Sequence, residues 1–275
     1  MIRFAEPEDS AAVIDLWNRC FGDDRAFTDW FFQNRYCPED TLLYLDGDTL
    51  CAMVQMLPYQ LQKASETVAV TYIYGACTAP EYRRRGRMAE LLQESFRLDQ
   101  QKGRAASILI PAEPWLFGFY KKYGYDTAFW VSNQQLEADP QATIVGEIRP
   151  LTDADCAALD HVYRNCLTAP YLCRTAKDWE KQLQMFRDLG GMALGWYAAD
   201  GQELMGYAFL WKNDDGLWAQ ELMGQHRETM IQMILQYCHA DSMKVTFPGT
   251  EQRLGCIHYH DNSPVEPGYF NLLFN

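Results

Sequence analysis

Several things are scarce in this chain, and each scarcity excludes something. Its nine cysteines are odd in number and show no Cys-x-x-Cys spacing, which argues against a disulfide framework and for reduced thiols. No apolar run approaches the roughly 18 residues of a membrane-spanning helix, and no signal-peptide pattern opens the chain, so a cytoplasmic protein is expected. Basic residues are outnumbered, 24 Lys and Arg against 37 Asp and Glu, for a net charge of -13. That excludes a general nucleic-acid binder, because a phosphate backbone needs a basic face. An acidic surface suits a cationic small molecule, or serves solubility alone. Histidine is rare, five in all with none before His161, so the first half holds no histidine to activate a nucleophile. What is plentiful is ordinary globular material: 275 residues, 48% apolar and 22% charged, enough for two modest domains or one large one.

Against that acidic background, Tyr82-Arg83-Arg84-Arg85-Gly86-Arg87-Met88-Ala89 stands out. A β-like stretch, Tyr72 to Thr78, precedes it. An amphipathic helix follows, with Met88, Leu91, Leu92, Ser95 and Phe96 on one face of a 3.6-residue period. A helix start exposes unpaired backbone N–H groups and the positive end of the macrodipole. Carboxylates belong there for stability, yet four arginines surround it. Cations crowded at a positive terminus make sense around an anion, with Gly86 letting the backbone approach it closely. The alternative is a solvated basic surface.

The chain also echoes itself. Ile2-Arg3 aligns with Ile148-Arg149, and at the same offset Asp9 meets Asp155, Ala11 meets Ala157, Ala12 meets Ala158 and Cys20 meets Cys166. Each copy predicts a strand, two helices, a hairpin at Asp46-Gly47 or Asp200-Gly201, then a strand, a helix and a strand. Polar residues and Pro140 around 137–141 predict the linker. The second copy lacks the arginine loop: only Met223-Gly224-Gln225-His226-Arg227 joins its strand to its helix. One ligand site per chain follows.

A second motif, Pro111-Ala112-Glu113-Pro114-Trp115-Leu116-Phe117-Gly118-Phe119-Tyr120-Lys121-Lys122-Tyr123-Gly124-Tyr125, predicts a short helix. Pro114 suits its first turn and Gly124 the position past its end. Strands are predicted on either side, at 106–110 and 125–131. Together, the Arg-x-x-Gly loop and the Phe-Tyr-x-Lys-x-Gly-Tyr ending resemble the two signatures of the GNAT N-acetyltransferases. The resemblance covers residues 1–135 directly and the rest through the repeat. It implies an α/β (α+β) fold of tandem GNAT-like domains, each a mixed, largely antiparallel central sheet flanked by helices. Residues 1–137 would form a catalytic domain with the acetyl-CoA site, and 143–275 a degenerate domain without the CoA loop.

The resemblance also implies roles. Ala76, Cys77 and Thr78 would offer strand backbone to pantetheine, and their N–H groups could stabilise an oxyanion. Arg84, Arg85, Gly86, Arg87, Met88 and Ala89 would surround the pyrophosphate of acetyl-CoA, although the family usually has Gly or Ala where Met88 stands. Tyr120 would be the general acid toward the CoA thiolate; the alternative is an aromatic packing residue. The chain is most similar to the Eis-like acetyltransferases without their sterol-carrier-like third domain, for which 275 residues leave no room. In those relatives the terminal carboxylate enters the active site, which makes Asn275 a candidate base or substrate anchor. Glu113 is near the site in sequence but reads as a helix start.

Other constellations read as structural. Cys256, His258 and His260 would share a strand face without a fourth ligand, so no metal is expected. Cys77 reads as a small strand residue, and Trp30, Phe31 and Phe32 as helix-core packing. The expected function is direct acetyl transfer from acetyl-CoA to a small-molecule amine, with neither nucleic acid nor membrane as partner. The alternative is an acyl-CoA sensor without turnover. The acceptor, the general base and the oligomeric state carry no signal in the sequence.

Overall fold

The computed structural model describes residues 1–214 and 216–274. In chain order the elements are β1 (Ile2–Phe4), α1 (Ser10–Phe21), α2 (Arg25–Asn34), β2 (Thr41–Asp46), β3 (Thr49–Gln62), β4 (Thr67–Thr78), α3 (Arg87–Gln101), β5 (Ala106–Leu109) and α4 (Pro114–Lys121). There follow β6 (Asp126–Glu137), β7 (Glu147–Pro150), α5 (Cys156–Cys166), β8 (Tyr171–Leu172), α6 (Ala176–Asp188), β9 (Met192–Tyr197), β10 (Leu204–Asn213), β11 (Gly216–Gly224), α7 (Arg227–Cys238), β12 (Ser242–Pro248) and β13 (Gln252–Tyr259). The chain divides into two compact units, Met1–Ala128 with Leu254–Glu266, and Phe129–Arg253 with Pro267–Asn275.

In the first unit the strand order is β1-β2-β3-β4-β5-β13, antiparallel throughout except for the parallel β4–β5 pair. In the second it is β7-β9-β10-β11-β12-β6, with β11–β12 the parallel pair. The two orders correspond strand for strand. So do the entries to α1 and α5: each follows a short 3-10 turn closed by a capping box, Glu6 with Asp9 and Thr152 with Asp155, which satisfies two orphan helix-start donors at once. The aligned acids Asp9 and Asp155 are therefore capping residues.

The units differ from the contiguous halves 1–137 and 143–275. A strand's position along the chain does not choose its partner; β6 pairs with β12 in the second unit, and β13 returns to β5 in the first. The polar stretch expected to be the linker lies inside the second unit.

The first unit's core puts Leu91 and Leu92 of α3 against Val54, Met56 and Ile73 of the sheet, with Met88 and Phe96 partly buried beside them. The stripe predicted for α3 is the face that packs. Trp17, Phe31 and Tyr74 cover the other sheet face, Trp17 stacked on Phe31 at 5.2 Å. The second unit's core places Ile231, Ile234 and Leu235 of α7 against Leu194, Ala208 and Leu222. Among the described residues, no helix is long and apolar enough to cross a membrane.

Candidate active site

The site begins at a defect in β4. Met53 pairs with Cys77 and Gln55 with Tyr74, so β4 sets two residues, Gly75 and Ala76, opposite the single Val54: a β-bulge with one extra residue. Gly75 has a φ of +56°, and a Cβ there would lie 2.5 Å from Cζ3 of Trp17. Only glycine meets both demands. The parallel ladder to β5 ends at Tyr72 opposite Ile108. Beyond it Ala76, Cys77 and Thr78 have no β5 residue beside them.

After β4, Pro80–Tyr82 makes a 3-10 turn, and α3 starts from Gly86 at φ +78° with no side-chain cap. A Cβ on Gly86 would meet nothing within 4 Å. What this glycine supplies is the left-handed backbone, and the space above it is open. The first N–H groups of α3 have no intrahelical partner, and the first helical bond runs from the Glu90 N–H to the Gly86 carbonyl.

The four arginines separate into two kinds. Arg83 donates through Nε to the Thr78 carbonyl at 3.1 Å, tying the loop to the strand end. Arg87 folds inward, donating to the Tyr44 hydroxyl, with Asp46 at 3.7 Å and Glu90 at 3.6 Å. Its guanidinium braces the helix start, leaving its backbone N–H as its offering to an anion. Arg84 and Arg85 are exposed, and Arg84 takes a left-handed φ of +62°, a conformation disfavoured outside glycine and found at functional turns. An uncapped helix start, open space at Gly86 and two exposed guanidiniums fit a pyrophosphate.

Tyr120 lies in α4 and is 7% exposed. It belongs to the cluster that holds Ile73 and Cys256, against which Ala76 and Met88 also pack. The structure thus gathers Ala76, Met88 and Tyr120 about one core. Its ring meets Tyr125 edge-on at 5.7 Å. Burial first, then Cys256 and Cys77, pushes the phenol well above its ordinary value, so it stays protonated across physiological pH. Cys77 is buried and its thiol is likewise pushed up, by burial and by contact with the Cys20 thiol; it is a neutral strand residue. Glu113 is the exposed N-cap of α4. Asn275 lies outside the described residues.

Residues 1–128 match the acetyltransferase (GNAT) domain family. This segment is a GNAT acetyltransferase domain. The chain therefore carries an acyltransferase domain, of a family that uses acetyl-CoA as cosubstrate and acts on small-molecule or protein amines. No curated protein matches the chain by sequence. Among solved structures, a probable N-acyltransferase from Enterococcus faecalis V583 superposes with a TM-score of 0.77 at 15% identity, covering 94% of this chain and 72% of that one. Eis1 from Mycobacterium abscessus gives 0.69 at 13%, covering 95% and 74%. A tandem GNAT protein from the clavulanic acid biosynthesis pathway gives 0.53 at 12%, covering 96% and 100%. At such identities the likeness is one of GNAT fold.

Two features of the site were missed in the sequence: the bulge at Gly75 and the Tyr44–Arg87–Glu90 brace. Only the first had a signal, a glycine inside a strand pattern. Cys256 and His258 on β13 and His260 just past its end do share a face, but it packs: His258 stacks on Phe96 at 4.2 Å and His260 meets Asp99 at 3.3 Å. No metal-holding group of three or more such side chains occurs among the described residues.

Proposed function

We propose that the chain is a cytoplasmic N-acetyltransferase that moves acetyl from acetyl-CoA directly to the amine of a small molecule. The first unit would carry the catalysis and the second, without an arginine loop, would be its degenerate tandem copy. The observation that carries this is the uncapped start of α3, led by left-handed Gly86 and flanked by Arg84 and Arg85, beside the unpaired edge of β4. In this proposal the N–H groups of Arg87, Met88 and Ala89, with Arg84 and Arg85, hold the pyrophosphate. The backbone of Ala76, Cys77 and Thr78 holds the pantetheine arm, and its N–H groups face the oxyanion.

A neutral amine attacks the thioester carbonyl, forming the C–N bond; the C–S bond breaks and a thiolate leaves. Tyr120 hydrogen-bonds to the sulfur as charge develops there. Its raised pKa makes full transfer in advance costly, so the proton moves only as the thiolate forms. The acidic net charge of the chain favours a cationic acceptor.

The test is release of free CoA from acetyl-CoA against a panel of amines, with the product mass measured. Release with one amine well above the amine-free rate, and a product heavier by one acetyl group, supports the proposal. Tight binding of acetyl-CoA without release for any amine points instead to an acyl-CoA sensor.

A further inference from the structure

Gln55, near the middle of β3, is fully buried, and among the described residues neither its carboxamide nitrogen nor its oxygen has a hydrogen-bond partner. An apolar side chain of the same size would spare the fold that cost, so the carboxamide calls for a reason beyond packing. Gln55 pairs with Tyr74, the last residue before the bulge. Its Nε2 lies 3.3 Å from where a Cβ of Gly75 would stand, beside Cζ3 of Trp17. The carboxamide thus rests against the bulge. The second unit carries a bulge at the corresponding place, where β11 sets Ala219 and Gln220 opposite Leu210. Trp211 there stands where Gln55 does, paired with Trp218 as Gln55 is with Tyr74, and its Nε1 donates to Gln220 Oε1 at 2.7 Å. Gln220 corresponds to Ala76, whose methyl accepts no hydrogen bond. In the first unit the polar groups at the bulge are those of its backbone.

We propose that Gln55 is a positioning residue for acyl transfer, an inference that rests on the acetyl-CoA site proposed above. When the thioester enters, the Gly75–Ala76 peptide turns, its carbonyl accepts from Gln55 Nε2, and its N–H is aimed at the thioester oxygen. The C=O and N–H of one trans peptide point in opposite directions. Holding the Gly75 carbonyl on the Trp17 side therefore sends the Ala76 N–H to the other. Gly75, at φ +56° and without a Cβ, gives the peptide the freedom to turn. The unpaired carboxamide raises the energy of the free state alone, so the turn is coupled to the arrival of the acyl group. Stability of the free protein is given up for an oriented oxyanion donor.

Gln55→Met in the full-length protein keeps the length of the side chain and removes the carboxamide. The ligand-free variant should melt about 2–4 °C above the wild type. By calorimetry its Kd for acetyl-CoA should rise about two- to tenfold, while its Kd for free CoA, which brings no acyl oxygen, stays the same. Amide hydrogen exchange across residues 72–78 should slow when acetyl-CoA binds the wild type, and slow less in the variant. Unchanged acetyl-CoA affinity, or an equal loss for acetyl-CoA and CoA, would overturn the role of Gln55. A variant that melts lower would also overturn it, making the carboxamide part of the packing. A wild type that binds neither ligand would instead overturn the cofactor site, and this proposal with it.

Discussion

Replacing Arg174 by Met should strongly destabilise the second unit. Arg174 is 2% exposed and Glu221 fully buried. Two guanidinium nitrogens each lie 2.7 Å from a Glu221 oxygen, and the carboxylate also accepts from the hydroxyls of Tyr207 at 2.9 Å and Tyr269 at 2.7 Å. Arg174 donates further to the Asn271 carbonyl, and its guanidinium lies 4.5 Å from the Tyr163 ring and 4.6 Å from that of Trp179. Arg174→Met keeps the stem's volume but strands a buried carboxylate, at a cost of about 3–5 kcal/mol. Adding Glu221→Leu removes the stranded charge and leaves unpaired phenols, at about 1–3 kcal/mol. The double variant should therefore be more stable than Arg174→Met alone. Urea denaturation of the wild type, both single variants and the double variant completes the cycle. Because Tyr269 and Asn271 belong to the C-terminal tail, Arg174→Met should also speed carboxypeptidase trimming of that tail. A loss below about 1 kcal/mol for Arg174→Met, or a double variant less stable than both singles, would refute the reasoning.

Two glycines separate steric from conformational need. Gly75→Ala meets Trp17 at 2.5 Å and a left-handed φ and should cost at least about 2–3 kcal/mol by denaturation, whereas Gly86→Ala, with open space around it, should cost only about 1 kcal/mol; equal losses would remove the distinction. Tyr120→Phe should lower kcat by about a hundredfold with acetyl-CoA affinity unchanged by calorimetry, and an unchanged kcat would remove Tyr120 as the acid. Burial holds the folded pKa of His258 below 6.5, so the unfolded chain takes this proton first. The stability tied to His258 is thus present at pH 7 and declines as pH falls below 6.5; His258→Gln should flatten that decline in melts from pH 7.5 to 5.5.

Local patterns were the legible part of the sequence. The stripe of α3, the hairpin at Asp46-Gly47, the arginine loop and the turn residues around α4 all rest on contacts within a few positions, and each stands where its period or turn chemistry puts it. The lower half of β3 did not announce itself although Leu57, Tyr59 and Leu61 alternate with Pro58, Gln60 and Gln62, because a proline inside a run argues against a strand. β2 pairs with β3 only as far as Gln55, so Pro58 interrupts no bond to β2. Which unit β6 and β13 join was not readable at all, since pairing partners far apart in sequence leave no local periodicity. The same holds for the site. Its loop and tyrosine were visible as motifs, while the inward turn of Arg87 to Tyr44 and the bond from the Cys20 thiol to the Thr78 carbonyl depend on tertiary contacts.

The central claim is that the start of α3 holds the pyrophosphate of acetyl-CoA. Its most direct test is isothermal calorimetry of acetyl-CoA binding to the wild type and to Arg84→Glu/Arg85→Glu, both side chains being exposed, so that the fold should be unaffected. Each lost charge-assisted bond is worth about 1.5–3 kcal/mol, so Kd should rise at least about tenfold, while circular dichroism and the melting temperature stay the same. Affinity equal to the wild type's would place the anion elsewhere and contradict the account.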